Sequence, residues 1–190
     1  AMNYYHNSEH VQKEAMHFIR NCLQATGSSK GIVLGRNGIE VIVRAMWKLE
    51  TFSTAQEHGC TILWCLAISN PEAQFSIMSN EGIGAILNGM SKHLSSEKLQ
   101  YYACGALQTL SSSKSEIQQN MLEIGAFDAI FNSMSEHKYS KSVAEAASIA
   151  VKNLLNFASE NPLVANVCKM SDRHVQVITR VMKSNKGEAR

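Results

Sequence analysis

Long apolar runs, prolines and charge of one sign are all scarce in this chain. No hydrophobic stretch approaches the roughly 20 residues a membrane-spanning helix needs, so no span is expected. Only two prolines, Pro71 and Pro162, and no Gly/Ser linker interrupt the 190 residues. No internal domain boundary therefore stands out, and residues 1–190 read as one domain. Lys and Arg total 18 against 16 Asp and Glu, well mixed along the chain. That balance offers no broad attraction to nucleic acid or to an anionic membrane. The five cysteines are an odd number, and no secretory leader is legible. Together these point to a reducing compartment, with a cytoplasmic setting expected and the nucleus left open.

Motifs for chemistry are also missing. Cys60 and Cys65 lie five apart with no second pair and no suitably spaced histidine, which argues against zinc. Ser28-Ser29-Lys30-Gly31 has the letters of a phosphate loop in the wrong order and reads as a plain loop. His93 and His137 fall at helix ends, where the macrodipole favours a cation, so they read as caps. No nucleophile–base pair can be assembled. The expectation is a non-enzyme without cofactor, metal or small-molecule substrate.

What is present is repetition. Met46, Met90 and Met134 are spaced 44 apart, as are Ile42, Ile86 and Ile130. Ahead of each Met stand Ile39-Ile42-Val43, Ile83-Ile86-Leu87 and Phe127-Ile130-Phe131. Downstream, Gly59-Ile62-Leu63-Leu66 recurs as Ala103-Ala106-Leu107-Leu110 and Ala147-Ala150-Val151-Leu154. These spacings of three, four and seven are the buried stripes of amphipathic helices. Each unit reads as a short, a medium and a long helix: about 29–36, 39–49 and 54–68, then 71–79, 83–93 and 96–112, then 115–123, 126–137 and 140–158. Asn70-Pro71 marks a helix start, since proline is tolerated in a first turn. Gly38 and Gly82 lie at the bend between short and medium helices, where a positive φ is expected; Ala126 holds the equivalent place beside Gly125. Gly59 reads as a point of close helix approach and Gly105 as an open spot.

The ends are partial copies. Gln12, Ala15, Phe18, Ile19 and Cys22 echo the long-helix pattern from Gln56 to Leu66. Asn161-Pro162 echoes Asn70-Pro71, and Val175, Ile178 and Met182 echo Ile83, Ile86 and Met90 after a slip of four. The partial copies span about 5–25 and 160–184, around full repeats at about 27–69, 70–112 and 113–158. They read either as caps or as the edges of a longer array.

An all-helical period near 40–47 residues marks a helical solenoid, and these residues resemble the armadillo repeat family. Its long-helix signature, Gln-x-x-Ala-Ala-x-Ala-Leu-x-Asn-Leu, is matched by Gln56-x-x-Gly59-Cys60-x-Ile62-Leu63-x-Cys65-Leu66. Gln100-x-x-Ala103-Cys104-x-Ala106-Leu107-x-Thr109-Leu110 is a second copy and Ala144-x-x-Ala147-Ser148-x-Ala150-Val151-x-Asn153-Leu154 a third. The resemblance implies an all-α, right-handed superhelix of three full repeats with partial terminal repeats. It further implies a concave groove, lined by the long helices, that holds an extended peptide. With the core at 59, 62, 63 and 66, the opposite side of each long helix can be read by angle. The candidate groove residues are Arg20, Asn21, Thr61, Trp64, Cys65, Tyr101, Gln108, Thr109, Ile149, Lys152 and Asn153. Nuclear-import receptors of the family grip peptides with an Asn ladder beside Trp. Here the rungs are Asn21, Cys65, Thr109 and Asn153, and the Trp place holds His17, Thr61, Gly105 and Ile149. That departs from signal-peptide recognition.

The expected function is a protein-interaction scaffold. Trp64, Ile68, Tyr101 and Ile149 would supply contact area, and Gln108, Thr109 and Asn153 would read a peptide backbone. A competing reading has Trp64 and Tyr101 packing between repeats. The alternatives are self-association through the array ends or docking within a larger protein. A nucleic-acid-binding solenoid ranks lower, because Lys13, Arg20 and Lys152 are opposed by Glu57 and Glu145.

Overall fold

The computed structural model describes residues 2–5, 7–25, 29–161 and 171–187, with side chains as far as Arg180. Pro162 and the Met182 side chain, both part of the terminal echoes, lie outside them. Among the described residues there are eleven helices and no strand. A long α1 (Glu9–Ala25) comes first. Short, medium and long helices then follow three times: α2 (Ser29–Leu34), α3 (Gly38–Lys48) and α4 (Ser53–Ala67); α5 (Pro71–Ser79), α6 (Gly82–Lys92) and α7 (Glu97–Ser111); α8 (Ser115–Glu123), α9 (Ala126–Glu136) and α10 (Lys141–Glu160). The last is α11 (Asp172–Gly187). No helix among these is long and apolar enough to cross a membrane.

Local chemistry sets several boundaries. Pro71 opens α5 behind Asn70, whose side chain accepts from the Ala73 N–H at 3.0 Å. Ser140 does the same for α10, accepting from the Val143 N–H at 3.4 Å. The bends correct the expectation placed on Gly38 and Gly82. The left-handed residue is the one before each: Asn37 at φ 51°, Glu81 at φ 61° and, one period on, Gly125 at φ 86°. All three bends therefore share one geometry. The glycines after the first two serve closeness instead. A Cβ on Gly82 would lie 2.7 Å from Ile77 Cγ2 and 2.8 Å from the Ile77 carbonyl oxygen.

Packing follows the period. Long helices lie against long helices, α1 on α4, α4 on α7 and α7 on α10. Medium helices do likewise, α3 on α6, α6 on α9 and α9 on α11, and each medium helix from α3 to α9 also packs on the long helix that follows it. Ile42, Ile86 and Ile130 are fully buried, and Met46, Met90 and Met134 nearly so. Full burial of each such side chain contributes about 1.5–3 kcal/mol.

Two polar devices recur with the same spacing. Gln56 Nε2 donates to the Met46 and Leu49 carbonyls at 2.7 and 3.0 Å, closing the end of α3. Gln100 does this for Met90 and His93, and Gln12 for Met2 and Tyr5. Ala144 stands at the fourth place and cannot. His93 and His137 are the C-cap residues that follow α6 and α9, but their imidazoles reach back one unit. Nε2 of each donates to a carbonyl, Glu50 and Leu94 respectively, at 2.7 Å.

The carboxyl-terminal helix corrects the slip of four. His174 and Val177 are buried while Val175 is exposed. His174 stacks on Phe131 with ring centroids 4.3 Å apart, and its Nε2 lies 3.1 Å from Asp128 Oδ1. His174 thus falls on the strict period from Ile130.

Candidate binding surface on the long helices

Side-by-side packing of α1, α4, α7 and α10 brings the candidate residues onto neighbouring helices. Each junction carries its own chemistry. Between α1 and α4 it is charged. Glu57, largely buried, takes Arg20 from α1 at 3.5 Å and Lys98 from the start of α7 at 3.2 Å. Arg20 also donates to its neighbour Asn21 at 2.9 Å. His17 and His58 stack across the seam with centroids 5.1 Å apart. Burial first, then the Arg20 charge, lowers the His58 pKa, so the neutral ring is favoured there.

Between α4 and α7 the junction is aromatic. The Trp64 indole N–H donates to Thr109 Oγ1 at 3.1 Å. Its ring meets Tyr101 edge-on at 5.7 Å and Tyr102 at 6.3 Å. The six-membered ring of Trp64 lies over Gly105, where a Cβ would approach to 2.8 Å. Gly105 is therefore no open spot: it is the floor under Trp64. Trp64 and Tyr101 do pack between helices, and both remain half-buried rather than sealed. Between α7 and α10 the junction is polar: Asn153 Nδ2 donates to Ser111 Oγ at 3.1 Å and Ser112 Oγ at 2.8 Å.

Of the remaining candidates, Asn21, Ile149 and Lys152 are exposed, and Cys65, Gln108 and Thr109 are half-buried. Burial raises the Cys65 thiol pKa, which keeps it protonated and weakly nucleophilic. Thr61 is a correction. It is 1% exposed, and its hydroxyl donates back to the Glu57 carbonyl at 2.8 Å. An angular reading gives a helix one buried side. Helix α4 has long neighbours on two further flanks, and Thr61 and Glu57 lie under them.

Tyr102 and His58 were missed by the sequence reading. They are one period apart, and each contacts the preceding long helix. That shared spacing was the available signal. Among the described residues no group of three or more His, Cys, Asp or Glu is placed to hold a metal ion. Cys60 and Cys104 are fully buried, and burial pushes both thiols up to about 12.

No family model matches the sequence, and no curated protein matches it. Among solved structures, an engineered protein determined by crystallography at the Northeast Structural Genomics Consortium is similar, with a TM-score of 0.66. The two chains are 17% identical, and the alignment covers 95% of this chain and 81% of the other. At that identity the likeness speaks to the helical fold alone.

Proposed function

We propose that the chain is an armadillo-type, right-handed superhelix that binds an extended segment of a partner protein along its long helices. The observation carrying this reading is the run of long helices α1, α4, α7 and α10, each packed on the next. Their accessible side chains change in kind from one junction to the next, as a surface reading successive residues of a peptide requires. The signature residues of the three repeats and the short–medium–long order of helices support the same reading.

The chemistry of recognition follows from what the side chains already hold. The indole N–H of Trp64 is engaged by Thr109, so Trp64 offers a ring surface for an apolar or cationic side chain rather than a donor. The amide nitrogen of Asn153 is engaged by two serines, which leaves its oxygen for a peptide N–H. Lys152 and Ile149 lie at one end of the row and Arg20 with Asn21 at the other. A partner with aliphatic or basic residues at its centre and an acidic residue near Lys152 suits this order.

Panning a library of unstructured peptides against the protein tests the reading. Trp64→Ala combined with Tyr101→Ala should weaken selected peptides roughly tenfold or more, with helical circular dichroism unchanged. Peptides that bind wild type and the double variant equally well would remove the groove assignment.

A further inference from the structure

The first two seams between long helices bring the same two positions together and fill them with different chemistry. Across α4–α7 the pair is Trp64 and Tyr102. One period earlier, across α1–α4, it is Arg20 and His58, with guanidinium Nη1 3.5 Å from imidazole Nδ1. An arginine has protons to donate and no acceptor, so this contact requires Nδ1 of His58 to be bare and its one proton to sit on Nε2. A second proton has only Nδ1 to go to, and there it sets two cations side by side.

The surroundings give that second proton little relief. The charged and titratable groups facing His58 are Arg20 and His17 from α1, Lys98 from α7, and Glu57 on its own helix. Glu57 is already shared between Arg20 at 3.5 Å and Lys98 at 3.2 Å, so one carboxylate serves two cations before His58 adds a third. The His17 ring stacks on His58 from the α1 side. Helix α1 has few other holds, since only Gln12, Met16 and Leu23 of its residues are buried.

We propose that the α1–α4 seam is an acid-released clasp: proton uptake at His58 breaks the Arg20 contact, and α1 lifts from α4 while the later seams stay shut. Burial and then the Arg20 charge lower the His58 pKa while the seam is closed. Released from α1, the ring meets water and returns toward the ordinary histidine value of about 6.5. The closed value is the lower of the two. The hold of His58 is therefore complete above the ordinary value and is lost as pH falls through the closed one. Helices α7 and α10 contain no histidine, the side chain that takes up a proton in this range, so the seams they form lack the trigger. The clasp belongs to the stack itself and stands whether or not a peptide binds.

Hydrogen exchange read by mass spectrometry on the whole chain tests this. Between about pH 7.5 and about pH 5.5, protection of the α1 amides, corrected for intrinsic exchange, should fall roughly threefold or more, with α7 and α10 holding theirs. His58→Gln stays neutral and can still accept from Arg20, so it should abolish the acid loss and keep α1 protected at neutral pH. His58→Phe, which copies the aromatic ring that Tyr102 places in the next seam, should also remove the pH response. Nitrogen shifts of the wild-type ring, which need no variant, should show the Nε2–H tautomer at neutral pH. The proposal is overturned by α1 protection that ignores pH, by an equal loss in α7 and α10, by an acid loss that survives in either variant, or by an Nδ1–H tautomer.

Discussion

Helices α1 and α4 hold equivalent places in the repeat and carry the same pattern, yet α4 buries ten of its 15 residues and α1 three of its 17. Side-chain size does not account for this. Phe18 is larger than Ile62, one period away, but Ile62 is sealed and Phe18 largely exposed. What differs is the neighbourhood: α4 has a long helix on each flank, and α1 has one among the described residues. An apolar stripe selects the face of a helix that prefers cover. The adjacent helices determine whether cover arrives.

Truncations on the two helices break or sharpen this contrast most strongly. Ile62→Ala should cost about 2–5 kcal/mol in urea unfolding, because the void lies in a sealed interior. Phe18→Ala, measured at high dilution, should cost under about 0.5 kcal/mol, as an exposed site does. Equal losses would mean that the outer flank of α1 is covered in solution.

A smaller difference is expected at the glutamines. Gln56→Ala strands the Met46 and Leu49 carbonyls inside the stack, at about 1–3 kcal/mol. Gln12→Ala should cost less, since the Met2–Tyr5 turn can detach and regain water. A matching pair of midpoint shifts would show the terminal turn to be as firmly held as α3.

The smallest effect concerns acid stability at a surface pair between medium helices. Hydrogen bonds from Lys92 at 2.9 Å and then Asn88 at 3.2 Å lower the Glu50 pKa. Its folded value lies below its unfolded one, so the contribution is present above the unfolded pKa and is lost as pH falls through the folded one. Asn88→Ala removes one donor and should slightly flatten the acid limb of stability against pH. A steeper limb would contradict the assignment.

Much of this was legible in the sequence because helix formation and the choice of buried stripe are local matters. Met46, Met90 and Met134 are buried in helices, and α5 and α8 run over the spans their periodicity indicates. Contacts between units were harder to read. The helical angle puts Thr61 on the surface, because an angle along one helix carries no information about flanking helices. Composition points to Gly38 and Gly82 for the positive φ, yet Asn37 and Glu81 hold it; the tight approach to Val33 and Ile77 claims the glycines first. Hydrophobicity ranks Val175 above His174 for the core, but the ring of His174 is what fits on Phe131.

The histidines at the ends of α6 and α9 give the stack a direction. Each imidazole holds a backbone oxygen belonging to the preceding unit, so detaching a unit breaks a bond outside its own boundary. Each tie crosses the boundary between two units, so it is lost whichever of them opens first, and it couples the opening of one unit to the integrity of its neighbour.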